Sequence, residues 1–265
     1  MILGQEKLCT QIDNLTMDEF PRSLMLVGAR GSGKHLIVDY TATKFKLTVR
    51  DITKTLNLET IEELYNRVEP YLYIINANEL SVKEENVILK FLEEPLKNSY
   101  IVLLCETEVG LLNTIINRCQ VWYLQNYSKD ILRSFLTNGN EYVLTVATTP
   151  GQVIELCNTS FEDMLQLADK IIDKINIASV ANTLSLSNKI NFKNESDKFD
   201  VRLFVDILLQ RFVEKYRTCS DTKYSTGYLR TVELKKKLYV RNLDCKALFE
   251  KYLVELRAIM RGEVV

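Results

Sequence analysis

The residues best suited to chemistry lie in one short run, Gly28-Ala29-Arg30-Gly31-Ser32-Gly33-Lys34-His35. Three glycines free the backbone to wrap a phosphate chain, with its N–H groups and the following helix N-terminus facing the anion. Lys34 then reaches the outer phosphates, and Gly28, Gly31, Ser32, Gly33, Lys34 and His35 form the candidate cradle. The pattern of a phosphate-binding P-loop asks for Ser or Thr after the lysine, because that hydroxyl holds Mg²⁺. His35 stands there instead. ATP hydrolysis also needs acids at the end of a buried strand, one for Mg²⁺ and often one to activate water. The matching run here is Ile74-Ile75-Asn76-Ala77-Asn78-Glu79, with Ile75 and Asn76 in the acid positions. Glu79 falls past the strand tip and is not read as their replacement. Three ligands are thus missing together. The loop leaves ATP or ADP binding open, with no protein ligands left for Mg²⁺.

The cradle needs a strand before it and a helix after it. Ser23 to Val27 reads as the strand and Leu36 to Phe45 as the helix. An amphipathic helix over residues 2–15 precedes them, with Leu8, Ile12 and Leu15 on one face. A short strand is expected near Leu47 to Asp51, then a helix from Leu58 to Val68. Tyr71 to Ile75 and Tyr100 to Leu104 are continuous apolar runs, as strands buried on both faces of a parallel sheet should be. Between them Ser81 and Glu84 form a capping box, opening a helix that runs to Glu94 and stops at Pro95. Thr114 to Asn117 reads as a helical turn and Val121 to Leu124 as a strand. Beyond residue 124 the periodicity turns helical. From Glu162 onward only helices are expected, over Phe161–Asn176, Asp200–Tyr216, Tyr228–Tyr239 and Asp244–Met260, with a polar loop over Leu186–Ser196. Phe204, Phe212 and Tyr216 are expected in a helical core. Lys235, Lys236, Lys237 and Arg241 read as a solvated basic face.

Composition narrows the function classes. With 34 basic and 35 acidic residues the formal net charge is −1, so nucleic-acid binding is not advertised across the whole surface. Six scattered cysteines without a CxxC pair read as reduced thiols of a cytoplasmic protein. A single histidine argues against a His-based zinc site or a serine–histidine triad. The first ten residues carry Glu6 and Lys7 and do not read as a signal peptide. No apolar run approaches the roughly 20 residues a membrane span needs.

The stretch from Ser81 to Pro95, SVKEENVILKFLEEP, resembles the helix that follows the second ATPase motif in bacterial clamp-loader AAA+ subunits, whose signature ends in LLK-x-LEEP. Asn86, Leu89, Lys90, Leu92, Glu93, Glu94 and Pro95 fit it. The run LLCETEVGLLNTIINRC is similar to the sensor 1 strand and Ser-Arg-Cys motif of that family, placing Thr107 at the sensor and Arg118 at the arginine. Thr149-Pro150-Gly151-Gln152 resembles the stretch carrying the sensor 2 arginine, with Gln152 in its place. The run from Asn242 to Leu256 is similar to the last collar helix.

That resemblance implies an α/β AAA+ P-loop domain with a parallel sheet over residues 1–124, a small helical lid over 125–163 and an all-α collar over 164–265. Within DNA polymerase III the departures resemble the delta-prime type, which can lack a working ATP site and still offer an arginine to a neighbour. The chain keeps Arg118 and departs from the catalytic pattern at positions 35, 75, 76 and 152. It also lacks the four-cysteine zinc module that gamma and delta-prime subunits commonly carry, so no zinc is expected and the choice between the two stays open. The partners implied are other AAA+ clamp-loader subunits, the sliding clamp and primer-template DNA within the assembly, with no membrane. Two other readings are an active ATP-hydrolysing motor subunit and a helicase-loader-like AAA+ DNA-binding protein.

Overall fold

Five strands pair into one parallel sheet in the computed structural model, which describes residues 2–65, 70–94, 99–137, 139–159, 161–192, 199–240 and 243–263. Contacts divide the chain into two units, Met1–Phe135 with Thr148–Val153, and Leu136–Ala147 with Ile154–Val265. The first unit runs α1 (Glu6–Asn14), β1 (Ser23–Val27), α2 (Lys34–Phe45), β2 (Thr48–Asp51), α3 (Leu58–Tyr65), β3 (Tyr71–Asn76), α4 (Val82–Glu93), β4 (Tyr100–Cys105), α5 (Asn113–Ile116), β5 (Gln120–Tyr123) and α6 (Lys129–Arg133). Its strand order is β2-β3-β4-β1-β5, with every neighbouring pair parallel. β1 lies between β4 and β5, in registers such as Leu26 opposite Leu104 and Met25 opposite Val121.

Parallel strands need crossovers that cover both faces of the sheet, and alternate side chains serve the two faces. Leu24 and Leu26 of β1 join a core with Leu8, Ile12, Ile37, Val38 and Trp122. Met25 and Val27 join the opposite core with Ile61, Ile88, Phe91 and Ile115. That double burial is why the central strands β1, β3 and β4 read as unbroken apolar runs. The capping box of α4 is present: Ser81 Oγ accepts the Glu84 N–H, and Glu84 Oε2 accepts the Ser81 N–H at 2.7 Å. These features agree with the expected α/β domain built on a parallel sheet.

The second unit contains α7 (Val143–Val146), most of α8 (Pro150–Asn158), α9 (Phe161–Lys174), α10 (Val180–Ser185), β6 (Ile190–Asn191), β7 (Phe199–Asp200), α11 (Val201–Cys219), α12 (Thr222–Lys237) and α13 (Cys245–Met260). α11 supplies Phe204, Leu208 and Phe212 to its core, and α13 supplies Phe249, Tyr252 and Leu256. Gly227 of α12 makes room for the Phe212 ring, whose Cε1 would lie 2.7 Å from an added Cβ. Arg211 bridges Asp169 of α9 and Glu214 of its own helix. Lys235 pairs with Asp206.

The helices-only reading beyond Glu162 needs correction, because β6 and β7 form a two-stranded parallel pair with Ile190 opposite Phe199. Two residues per strand carry no readable period. α10 was not anticipated, and the start of the expected 186–196 loop is a 3₁₀ turn, Leu186–Lys189. Tyr216 is 44% exposed, unlike the fully buried Phe204 and Phe212. It sits in the last turn of α11, where the αL residue Ser220 closes the helix by donating its N–H to the Tyr216 carbonyl. Val68, Pro95, Arg241, Asn242 and the loop beyond Phe192 lie outside the described residues.

Candidate functional site

The cradle forms where β1 hands over to α2, and its conformation is the one glycine makes available. Gly31 and Gly33 have φ of 76° and 88°, a left-handed region open to glycine at little cost. Gly28 is needed for space, since an added Cβ would meet Ser32 Oγ at 2.8 Å. The loop start is tied to the sheet, with the Gly28 N–H donating to the Cys105 carbonyl at 3.0 Å.

Every carbonyl from Gly28 to Ser32 is taken by a donor of the same unit. Lys34 Nζ donates to the Gly28 carbonyl at 2.5 Å and to the Ala29 carbonyl at 3.1 Å. Thr149 Oγ1 donates to Arg30 at 2.8 Å, the Gly151 N–H to Gly31 at 3.0 Å, and the Tyr127 hydroxyl to Ser32 at 2.7 Å. Lys34, the residue meant for the outer phosphates, is buried against its own loop. Burial holds its pKa below the ordinary lysine value, and the Glu106 carboxylate pulls the other way. Gln152, in the sensor 2 position, is also turned inward: its Oε1 accepts the Thr148 N–H at 2.8 Å.

The backbone suits a phosphate better than the side chains suit a magnesium ion. Ser32 Oγ is buried with no hydrogen-bond partner among the described residues, a cost that a polar ligand in the cradle would relieve. His35 is exposed. Ile75 is wholly buried in the core on the Met25 side of the sheet, where an ionised carboxylate would be costly. The Asn76 side chain donates to Glu79 Oε1 at 2.6 Å and accepts from Asn78. Asn78 Oδ1 in turn accepts the Glu106 N–H at 3.0 Å. An amide network thus closes the strand tip where the acids would stand. Among the described residues no group of three His, Cys, Asp or Glu side chains could hold a metal ion.

Thr107 turns to its own loop, its Oγ1 accepting the Val109 N–H at 3.3 Å. The Cys105 thiol donates to the Thr107 carbonyl, and burial pushes its pKa up to about 11. Arg118 stands apart from the cradle, just past α5. Its Nη1 donates to the Thr114 carbonyl at 2.9 Å and its Nη2 to Glu93 Oε1 at 2.6 Å. The structure therefore gathers Gly28, Gly31, Ser32, Gly33 and Lys34 and leaves Arg118 on a separate edge. Sequence reasoning missed Tyr127, for which no sequence signal exists. It also missed the contact of Thr149 and Gly151 with the loop, which the Thr-Pro-Gly run could have suggested.

The motifs around β3, α4 and β5 agree with the comparisons. Residues 40–128 match the family model described as DNA polymerase III, delta subunit. Over 101 residues the chain is 35% identical to DNA polymerase III subunit delta' of Haemophilus influenzae, covering 37% of this chain and 30% of that protein. Over 72 residues it is 38% identical to subunit delta' of Bacillus subtilis, covering 25% and 22%. Over these stretches the chain resembles delta-prime subunits. The matched stretches span less than a third of each delta-prime relative. Superposition on a DNA polymerase III gamma subunit-related protein from Thermotoga maritima gives a TM-score of 0.46 at 14% identity, covering 97% of this chain and 100% of that one. No helix among the described residues is long and apolar enough to cross a membrane.

Proposed function

We propose that the chain is a non-hydrolysing, delta-prime-like subunit of a DNA sliding-clamp loader. It acts beside other AAA+ clamp-loader subunits, the sliding clamp and primer-template DNA, in the cytoplasm. Residues 1–124 serve as the P-loop domain, 125–163 as a lid and 164–265 as the collar that meets equivalent collars of its neighbours. The observation that carries the reading is the spent cradle. Lys34 is committed to the Gly28 and Ala29 carbonyls, and the strand tip is an amide network built on Asn76 and Asn78. The backbone still offers a passive ATP or ADP site, and the chemistry lies with Arg118.

A guanidinium supplied in trans neutralises charge developing on a neighbour's phosphoryl oxygens and contributes a factor of about 10³ to 10⁵ in rate. Arg118 has the exposure for that role, with 36% of its side-chain surface accessible. The test of the spent cradle uses the purified chain with Mg²⁺ and ATP. Phosphate release should not rise above the protein-free rate. Turnover that disappears in Lys34→Ala would instead establish a motor subunit.

A further inference from the structure

Arg118 is held at two points from two different elements. Nη1 meets the Thr114 carbonyl at 2.9 Å, and Nη2 meets Glu93 Oε1 at 2.6 Å at the end of α4. Glu93 lies 25 residues away in sequence and reaches Arg118 because α4 and α5 pack on the same face of the sheet through Ile88, Phe91 and Ile115. Both side chains are open to an incoming partner, at 36% and 51% of their surface.

We propose that Glu93 is a positioning residue for Arg118, holding the guanidinium at the α4–α5 edge in the free chain and yielding it to a phosphate of a neighbouring subunit's nucleotide. This inference rests on the trans-finger reading. Two anchors set the plane of the guanidinium fork, so the arginine is ordered before a neighbour docks, and less side-chain freedom is lost on docking. An ion pair this exposed is weak. A nucleotide γ-phosphate carries more charge than a carboxylate and accepts two N–H groups side by side, so it displaces Glu93. Until then the carboxylate keeps a cationic side chain from pairing elsewhere. The competition is uniform between ground state and transition state, so it acts on KM and not on kcat.

Two measurements test the inference separately from the reading beneath it. In the isolated chain, phenylglyoxal labelling of Arg118, followed by peptide mass spectrometry, should run about two- to fivefold faster in Glu93→Gln. Glu93→Asp, which keeps the charge, should stay near the wild-type rate. Thermal unfolding of each variant checks that the fold is kept. In the clamp loader reconstituted with its ATPase subunits, Glu93→Gln should lower the KM for ATP by a similar factor and leave kcat within about twofold. Equal labelling rates in wild type and Glu93→Gln would overturn the positioning role, as would an unchanged KM in an assembly whose turnover depends on Arg118. An assembly indifferent to Arg118→Ala would instead remove the finger reading, with the labelling result still deciding whether Glu93 holds the arginine.

Discussion

Gly31 and Gly151 touch backbone to backbone. The Gly151 N–H donates to the Gly31 carbonyl at 3.0 Å, and a Cβ added to Gly151 would lie 2.5 Å from the Gly31 Cα. The phosphate loop is therefore closed by a turn of its own unit, at a distance that only two glycines allow. Gly151→Ala has no flexible side chain to push aside, since the colliding atoms are main chain. It should destabilise the first unit by about 1–3 kcal/mol, read as a lower urea midpoint with an unchanged slope. A midpoint equal to that of the wild type would mean that the loop and the turn do not meet this closely.

The helix carrying Glu93 depends on its first turn. Ser81 and Glu84 satisfy each other's backbone N–H groups, and the helix buries Glu85, Ile88, Phe91 and Leu92. Ser81→Ala removes one acceptor and should cost about 1 kcal/mol, measured by urea unfolding. The loss should show locally, as faster hydrogen exchange in residues 82–85 of Ser81→Ala than in the wild type. Unchanged exchange there would show that the cap does not limit the start of α4.

Two thiols give the fold an alkaline limit. Burial pushes the Cys119 pKa up to about 12 and that of Cys105 up to about 11, from an ordinary value of 9.0. The folded chain then holds protons that the unfolded chain releases, so stability is intact below pH 9.0 and falls as the pH climbs toward the folded values. Each thiol should cost about 1 kcal/mol by pH 10. Lys34 works in the opposite sense, because its lowered pKa makes the unfolded chain the better proton binder. Cys119→Ser isolates the thiol term. Its loss of stability between pH 8 and pH 10 should be about 1 kcal/mol smaller than that of the wild type, and equal losses would contradict the burial of Cys119.

The sheet was legible because each central strand is buried on both faces. Double burial makes Tyr71–Asn76 and Tyr100–Cys105 continuous apolar runs, and Gly31 and Gly33 mark a loop that needs φ above zero. Ser81 and Glu84 were legible because a cap is a local event, settled within four residues. The pinning of the loop was not. Tyr127 lies 95 residues from Ser32 in sequence and Thr149 lies 119 from Arg30, and a hydroxyl that bonds a distant carbonyl leaves no periodic trace. Glu93 was noticed as part of a motif, yet its pairing with Arg118 depends on how two helices end. The β6–β7 pair escaped because two residues cannot establish alternation. Tyr216 was misplaced because helical spacing gives a face and not the depth of the last turn.

The proposed function turns on Arg118 acting on a neighbour's nucleotide while this chain's own cradle stays passive. The direct measurement is steady-state ATP turnover by the reconstituted clamp loader, with wild type compared to Arg118→Ala in this subunit. Turnover at the adjoining site should fall by about 10³, with the assembly still formed by gel filtration. Turnover equal to the wild type in an intact assembly would contradict the proposed function.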